Sequence, residues 1–307
     1  MKADIIKRVL GILIDEGYAI SDCRGTRSCF DVIAKKENVF LIKILTNVEA
    51  LNSKSAGELK QVASIISAIP LIIGDHKKNA KLSNGVLYAR YDVGVVNIKT
   101  FDEIIKERFP MIYSVRGDYC MRIKSRLLSK IRHDMGLTQD ELASRLNVSK
   151  QSIHRYESTG RVSLKIAENL FELVKDDITM SERLHPSKSP LVSECFTGHK
   201  TYCKLSLMKR EVRDKLVKIG FVIYPTNAPF DLVVERGRCE KRILSVVGND
   251  LKTVTRKVEI NEDITRITGD YSICISEKEQ DLDVPMIKPR ELKSIESADE
   301  FIEILFE

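Results

Sequence analysis

The sequence predicts an α+β multidomain chain: two mixed-sheet α/β units, copies of one internal repeat, on either side of an all-α unit. Three observations carry this. Apolar, β-branched runs alternate with helical stretches in the first third, and the same order returns in the last third. The middle has helix caps and helical apolar spacing instead. Its residues 121–165 hold ten Lys or Arg against four Asp or Glu, while the rest of the chain holds forty of each, so the net charge of +6 sits in the middle unit. The expected units are 1–112, 119–175 and 205–307, with a linker at 176–204.

In the first unit, Ile5, Ile6, Val9, Leu10 and Leu13 recur at helical spacing over 3–16, and Gly17 ends that helix. Tyr18–Asp22 reads as a strand and Arg24-Gly25-Thr26-Arg27 as a turn able to touch phosphate. Phe30–Ala34 and Val39–Leu45 read as a hairpin across Lys35, Lys36, Glu37 and Asn38. A helix over Ser55–Ala68 follows, then a buried strand from Pro70, a polar loop over Asp75–Asn84, and short strands at Val86–Tyr91 and Val95–Ile98. Thr100 is expected to cap a last helix. Phe109–Tyr119, with Pro110 and Gly117, reads as a short linker.

The middle unit centres on Gly136–Glu157. Thr138 is a good N-cap, with Glu141 placed to complete a capping box. Leu142, Ala143 and Leu146 share one helix face, and small Ala143 lets a second helix cross closely. Asn147 tolerates the left-handed turn and Val148 plugs it. Ser149 caps a second helix that turns Ile153 and Tyr156 inward and Lys150, Gln151, Ser152 and Arg155 outward. That outward set suits a DNA major groove, where Gln pairs with adenine and Lys or Arg with guanine.

Leu137-Thr138-Gln139, Glu141-Leu142-Ala143, Val148-Ser149, Ile153 and Tyr156-Glu157 together resemble the lambda-repressor and Cro helix-turn-helix, the XRE family, across roughly residues 119–175. Asn147 departs from the glycine common there. The resemblance implies phosphate contacts from Thr138, Gln139, Ser149 and Arg161, base contacts from Lys150, Gln151 and Arg155 with Ser152 beside them, and binding to double-stranded DNA as a homodimer. The chain is similar to archaeal XRE-type regulators with a mid-chain reading domain, which makes the flanking α/β units candidates for dimerisation, partner docking or sensing of a small-molecule or protein effector whose identity the sequence does not give.

In the last third, Leu205–Ile219 is an amphipathic helix ended by Gly220, followed by Phe221–Tyr224, Phe230–Glu235 and Ile243–Val247 as strands. Residues 250–267 read as helix, Tyr271–Ser276 as a buried strand and Ala298–Phe306 as a closing helix. Gly17-Tyr18 answers Gly220-Phe221, and Phe30-Asp31 answers Phe230-Asp231. From that Asp to the Asp of the closing helix is 71 positions in one copy (Asp31 to Asp102) and 68 in the other (Asp231 to Asp299).

The first copy resembles the core of the PD-(D/E)-x-K nucleases, the archaeal Holliday-junction resolvases among them. The resemblance places Asp31 at the metal-binding aspartate and Lys43 at the lysine, but Leu41 where the second carboxylate belongs. In the second copy Asp231 remains, with Ile243 and Ser245 read at the other two positions. Magnesium wants several oxygen ligands at fixed geometry, so no catalytic residue, metal or cofactor is expected. Asp31 and Asp231 then bond locally. A DNA-processing or structure-selective protein built on these copies is the alternative, and an adaptor that no longer binds DNA a third.

Cys195, His199, Cys203 and His185 fit no known zinc-finger spacing and are expected to be free. Seven cysteines without CxxC pairs, the absence of a long apolar run, and a start unlike a signal peptide give the expectation of reduced thiols in a cytoplasmic protein that touches no membrane. Aromatics at 6% and no Trp argue against a single-strand stacking platform.

Overall fold

The computed structural model describes residues 2–115, 117–174, 178–180, 204–237, 241–279 and 281–305. The first unit runs α1 Lys2–Asp15, β1 Ala19–Asp22, β2 Val32–Lys35, β3 Val39–Asn47, α2 Ser53–Ile65, β4 Ile69–Lys77, β5 Ala80–Lys81, β6 Val86–Arg90, β7 Val93–Val96 and α3 Ile98–Ile105. Next come β8 Ile112–Val115 and β9 Asp118–Ile123. The helical unit holds α4 Ser125–Asp134, α5 Gln139–Leu146, α6 Lys150–Thr159, β10 Arg161–Ser163, α7 Leu164–Val174 and β11 Thr179–Met180. The last unit holds α8 Leu207–Lys218, β12 Val222–Pro225, β13 Leu232–Glu235, β14 Ile243–Val247, α9 Leu251–Thr268, β15 Tyr271–Ile275, β16 Met286–Ile287, α10 Pro289–Ser294 and α11 Ala298–Glu303.

The internal repeat is visible in the pairing. β1–β2 and β2–β3 are antiparallel and β3–β4 parallel. β12–β13 and β13–β14 are antiparallel and β14–β15 parallel. Within each copy the helix before the first strand and the helix after the third cover opposite faces. The two copies pack against each other. Ile33, Leu41 and Leu59 of the first share one buried cluster with Phe230, Val233, Leu244 and Ile264 of the second. Polar contacts cross the same seam: the Cys29 amide donates to the Asn227 carbonyl at 2.8 Å, and the Asn227 side chain donates to Glu58 at 3.0 Å. Cys23 and Cys29 lie buried there as free thiols, and burial pushes Cys29 up to about 12, so neither is poised to react.

The expected linker Phe109–Tyr119 instead carries β8 and the start of β9. β8 pairs with β6, and β9 pairs with β8. β10 and β11 of the helical unit both pair with β9, so the sheet runs β1-β2-β3-β4-β7-β6-β8-β9-β10 without a break. A strand alternates its side chains between faces, and β9 uses this to serve two cores. Cys120, with Tyr113 of β8 opposite, packs into the first copy's cluster, while Met121 and Ile123 pack into the helical core with Leu128, Ile153 and Val162. The helical unit is therefore mounted on the sheet rather than tethered to it.

Two smaller expectations also change. Asp75–Asn84 is not all loop, because β4 continues to Lys77 and folds back on β5. Asn97, not Thr100, caps α3: its side chain accepts the Thr100 amide, and the Thr100 hydroxyl accepts the Gly85 amide at 2.9 Å.

Gly160 joins α6 to the sheet. Its φ is 68°, and a Cβ there would meet the Ile123 carbonyl oxygen at 2.4 Å. That oxygen belongs to backbone fixed by the sheet and cannot retreat as a side chain would. Gly160→Ala is expected to lower stability by about 1–3 kcal/mol, read as a shifted urea midpoint at unchanged slope.

Candidate nucleic-acid interface

The helix-turn-helix is set by local chemistry. The Thr138 hydroxyl accepts the Glu141 amide while the Glu141 carboxylate accepts the Thr138 amide at 2.7 Å, a complete capping box. The Thr138 amide and hydroxyl, both donating to it, hold the Glu141 carboxyl below its usual range. Asn147 ends α5 at φ 51°, ψ 51°, the left-handed conformation foreseen for it. Ser149 caps α6 by accepting the Ser152 amide. Leu142, Ala143, Leu146, Ile153 and Tyr156 form the buried seam between the two helices.

One carboxylate ties three helices together. Glu157 of α6 receives Arg132 of α4 at 2.6 and 3.2 Å and the Gln139 amide of α5 at 2.7 Å. Arg132 also donates to the Leu137 carbonyl at 2.8 Å, in the turn before α5. Both members of the ion pair have side chains 8% exposed. Burial works to raise the Glu157 carboxyl, but the Arg132 and Gln139 hydrogen bonds outweigh it and hold it low.

The predicted contact residues separate into two sets. Lys150, Gln151 and Arg155 are exposed on α6, aimed away from the seam. Lys150 rests on Asp140 at 2.6 Å in a solvent-exposed pair, and the Arg155 guanidinium lies 5.5 Å from the Tyr156 ring centre. Thr138, Ser149 and Ser152 are occupied by capping; the Ser149 and Ser152 hydroxyls stand 3.0 Å apart. Gln139 is half-buried with its amide nitrogen spent on Glu157. Arg161 turns back on the sheet, 5.7 Å from the Tyr113 ring centre and donating to the Cys120 sulfur at 3.7 Å. It lies opposite Arg122 across the strands. The sequence reading passed over His154, which is exposed on α6. The spacing i, i+3, i+4 that joins Gln151, His154 and Arg155 was the available signal.

The nuclease-like positions do not fit a divalent cation. Asp31 accepts the Ile44 amide at 2.7 Å and Lys2 at 3.0 Å, with Lys43 at 3.5 Å. Asp231 accepts the Val247 amide at 3.0 Å and both Lys209 and Lys257 at 2.6 Å. Both oxygens of each carboxylate are taken. The register also corrects the second copy: Asp31 donates its amide to Ile42 and Asp231 donates its amide to Ser245, which makes Leu244 and Val246 the counterparts of Leu41 and Lys43. The earlier pairing with Ile243 and Ser245 is one residue off, which reverses the face. Leu41 and Leu244 are both buried in the seam between copies, where a carboxylate would have no water. In the Arg24–Arg27 turn, Arg24 is bonded to Asp22 at 2.8 Å and its carbonyl accepts from Arg256. The Cys195, His199, Cys203 and His185 set lies outside the described residues. Among the described residues no helix is long and apolar enough to cross a membrane.

Comparison with known proteins agrees with this division. A PD-(D/E)XK superfamily domain model matches residues 2–110 and a helix-turn-helix model matches residues 128–173. A protein of Methanocaldococcus jannaschii is 30% identical over 99% of this chain and 96% of its own length. One from Methanococcus maripaludis strain C7 is 30% identical over 91% of this chain and 89% of its own. One from Methanobrevibacter smithii is 28% identical over 100% and 97%. All three carry the name "putative HTH-type transcriptional regulatory protein". No solved structure matches. With a helix-turn-helix of XRE type set behind a PD-(D/E)XK superfamily domain, and with relatives matching end to end, the chain belongs to this archaeal family of HTH-type regulatory proteins.

Proposed function

We propose that the chain is a sequence-specific regulator of transcription that lays α6 in the major groove of double-stranded DNA. The observation that carries the reading is the exposed row Lys150, Gln151 and Arg155 on a helix whose other face is locked by Ile153, Tyr156 and Glu157. A side chain held on a rigid helix can discriminate base edges, because a wrong base leaves its hydrogen bonds unmet. His154 joins that row. The free amides at the starts of α5 and α6 would take phosphates and fix the register. Arg161 joins them only if DNA draws it off Tyr113. Two chains would dock on half-sites about one DNA turn apart.

The α/β copies are read as non-catalytic supports of this reading head. The engaged oxygens of Asp31 and Asp231, and the leucines in place of a second carboxylate, favour that reading. Binding of the full chain to duplex DNA, followed by fluorescence anisotropy, separates the alternatives. We expect Arg155→Ala to weaken binding and Asp31→Ala to leave it intact. Duplex and four-way branched DNA incubated with Mg²⁺ should stay uncut. Cleavage that disappears in Asp31→Ala would return the nuclease reading to first place.

A further inference from the structure

We propose that the first α/β copy holds a binding site for a small phosphorylated anion. A cavity of about 520 Å³ opens between α1, the end of β4, the β5–β6 connection and the residues leading into α3. That is a ligand-sized volume. Three cations from three separate elements line it: Arg8 of α1, Lys81 of β5 and Lys99 of α3. None of the three is ion-paired among the described residues. Three other cations of this copy do have carboxylate partners, Lys60 with Asp92, Lys106 with Asp102 and Arg108 with Glu103. The lining carboxylate, Asp75, lies 3.3 Å from His76.

Three unmatched positive charges around one concavity raise the local concentration of anions and converge on a group with several anionic oxygens. The rim is already ordered. Asn97, 8% exposed, donates to the Leu82 carbonyl at 2.9 Å and to Asn84 at 2.8 Å, so the β5–β6 connection is braced against α3 without a ligand. A site built in advance loses less to ordering when it binds.

The same rim reaches the strand that carries the helix-turn-helix. The Ser83 amide donates to the Tyr88 hydroxyl at 3.0 Å, and that hydroxyl stands 3.5 Å from the Tyr119 hydroxyl on β9. β9 is the strand shared by the two cores. An anion seated against the Ser83 rim therefore acts on the mounting of the reading head. This second half rests on the DNA-binding function proposed above; the binding site does not.

The test is calorimetric titration of the full chain with inorganic pyrophosphate at fixed salt, without DNA. Saturable one-to-one binding with Kd below about 1 mM is expected, weakened at least about tenfold in the Arg8→Gln/Lys81→Gln/Lys99→Gln variant. All three side chains are exposed, so the variant should keep its melting transition. No saturable binding, or equal binding by the variant, overturns the site. Duplex DNA that displaces pyrophosphate would make the cavity a DNA-backbone contact and overturn the small-anion assignment. For the second half, pyrophosphate should shift DNA affinity in the wild type and not in Tyr119→Phe; an unshifted wild type overturns the coupling. The Lys150/Gln151/Arg155 triple alanine variant should still bind pyrophosphate, so failure of the DNA-binding reading would show separately.

Discussion

Replacing Glu157 by Ala is expected to destabilise the helical unit by about 3–5 kcal/mol, because it strands the Arg132 guanidinium in a buried site. The magnitude follows from exposure. Both side chains of the pair are 8% exposed, so water cannot take over what Glu157 supplies. The loss is also not confined to one contact. Gln139 gives up its partner at 2.7 Å, and among the described residues Arg132 retains only the Leu137 carbonyl. Set against whole-domain stabilities of about 5–15 kcal/mol, this removes a large share of what holds α4, α5 and α6 together. Urea unfolding followed by hydrogen exchange should show early loss of protection in α4–α6. A midpoint equal to that of the wild type would mean the pair contributes nothing net.

The same residue sets a pH dependence. The Glu157 carboxyl is held below its ordinary 4.5 in the folded chain. A depressed acid contributes its full stabilisation above the unfolded value and loses it as pH falls through the folded value. Acidification below 4.5 should therefore weaken the wild type progressively. Glu157→Gln, which has no proton to gain, should show a flatter stability profile across the same range.

Alanine at Lys150, Gln151 and Arg155 together is expected to weaken specific DNA binding by about 3–9 kcal/mol, roughly a hundredfold or more in Kd, as each base-edge contact contributes about 1–3 kcal/mol. Lys150 is available for this despite its partner. The Lys150–Asp140 pair is exposed on both sides, 59% and 64%, and such surface pairs contribute about 0–1 kcal/mol, which a base contact readily exceeds. Because the three side chains project from the locked face, the variant should unfold within about 0.5 kcal/mol of the wild type per site. A stability loss matching the binding loss would mean that these residues support the fold and do not read DNA.

The helix-turn-helix was legible in the sequence because its determinants are neighbours. Thr138 with Glu141, Asn147 at the left-handed turn and Ser149 with Ser152 each act within a few positions. The repeat was legible in its landmark residues, Gly17 with Gly220 and Asp31 with Asp231, but not in its register. Ile243 and Leu244 are both apolar, and only the ladder shows which one faces the other copy. The mounting of the helical unit was not legible. β10 and β11 are too short to show alternation, and their partner β9 lies far away in sequence. Arg132 likewise read as one cation among ten, since nothing near it in sequence announces Glu157 as its buried partner.

The most direct test is selection of binding sites from random duplex DNA at fixed salt, run side by side with the wild-type chain and the Lys150/Gln151/Arg155 triple alanine variant. We expect the wild type to enrich a defined half-site, repeated about one helical turn apart if two chains bind together, and the variant to enrich nothing. Binding by both proteins that varies with salt and not with sequence would contradict base reading by α6 and leave only non-specific attraction to phosphate.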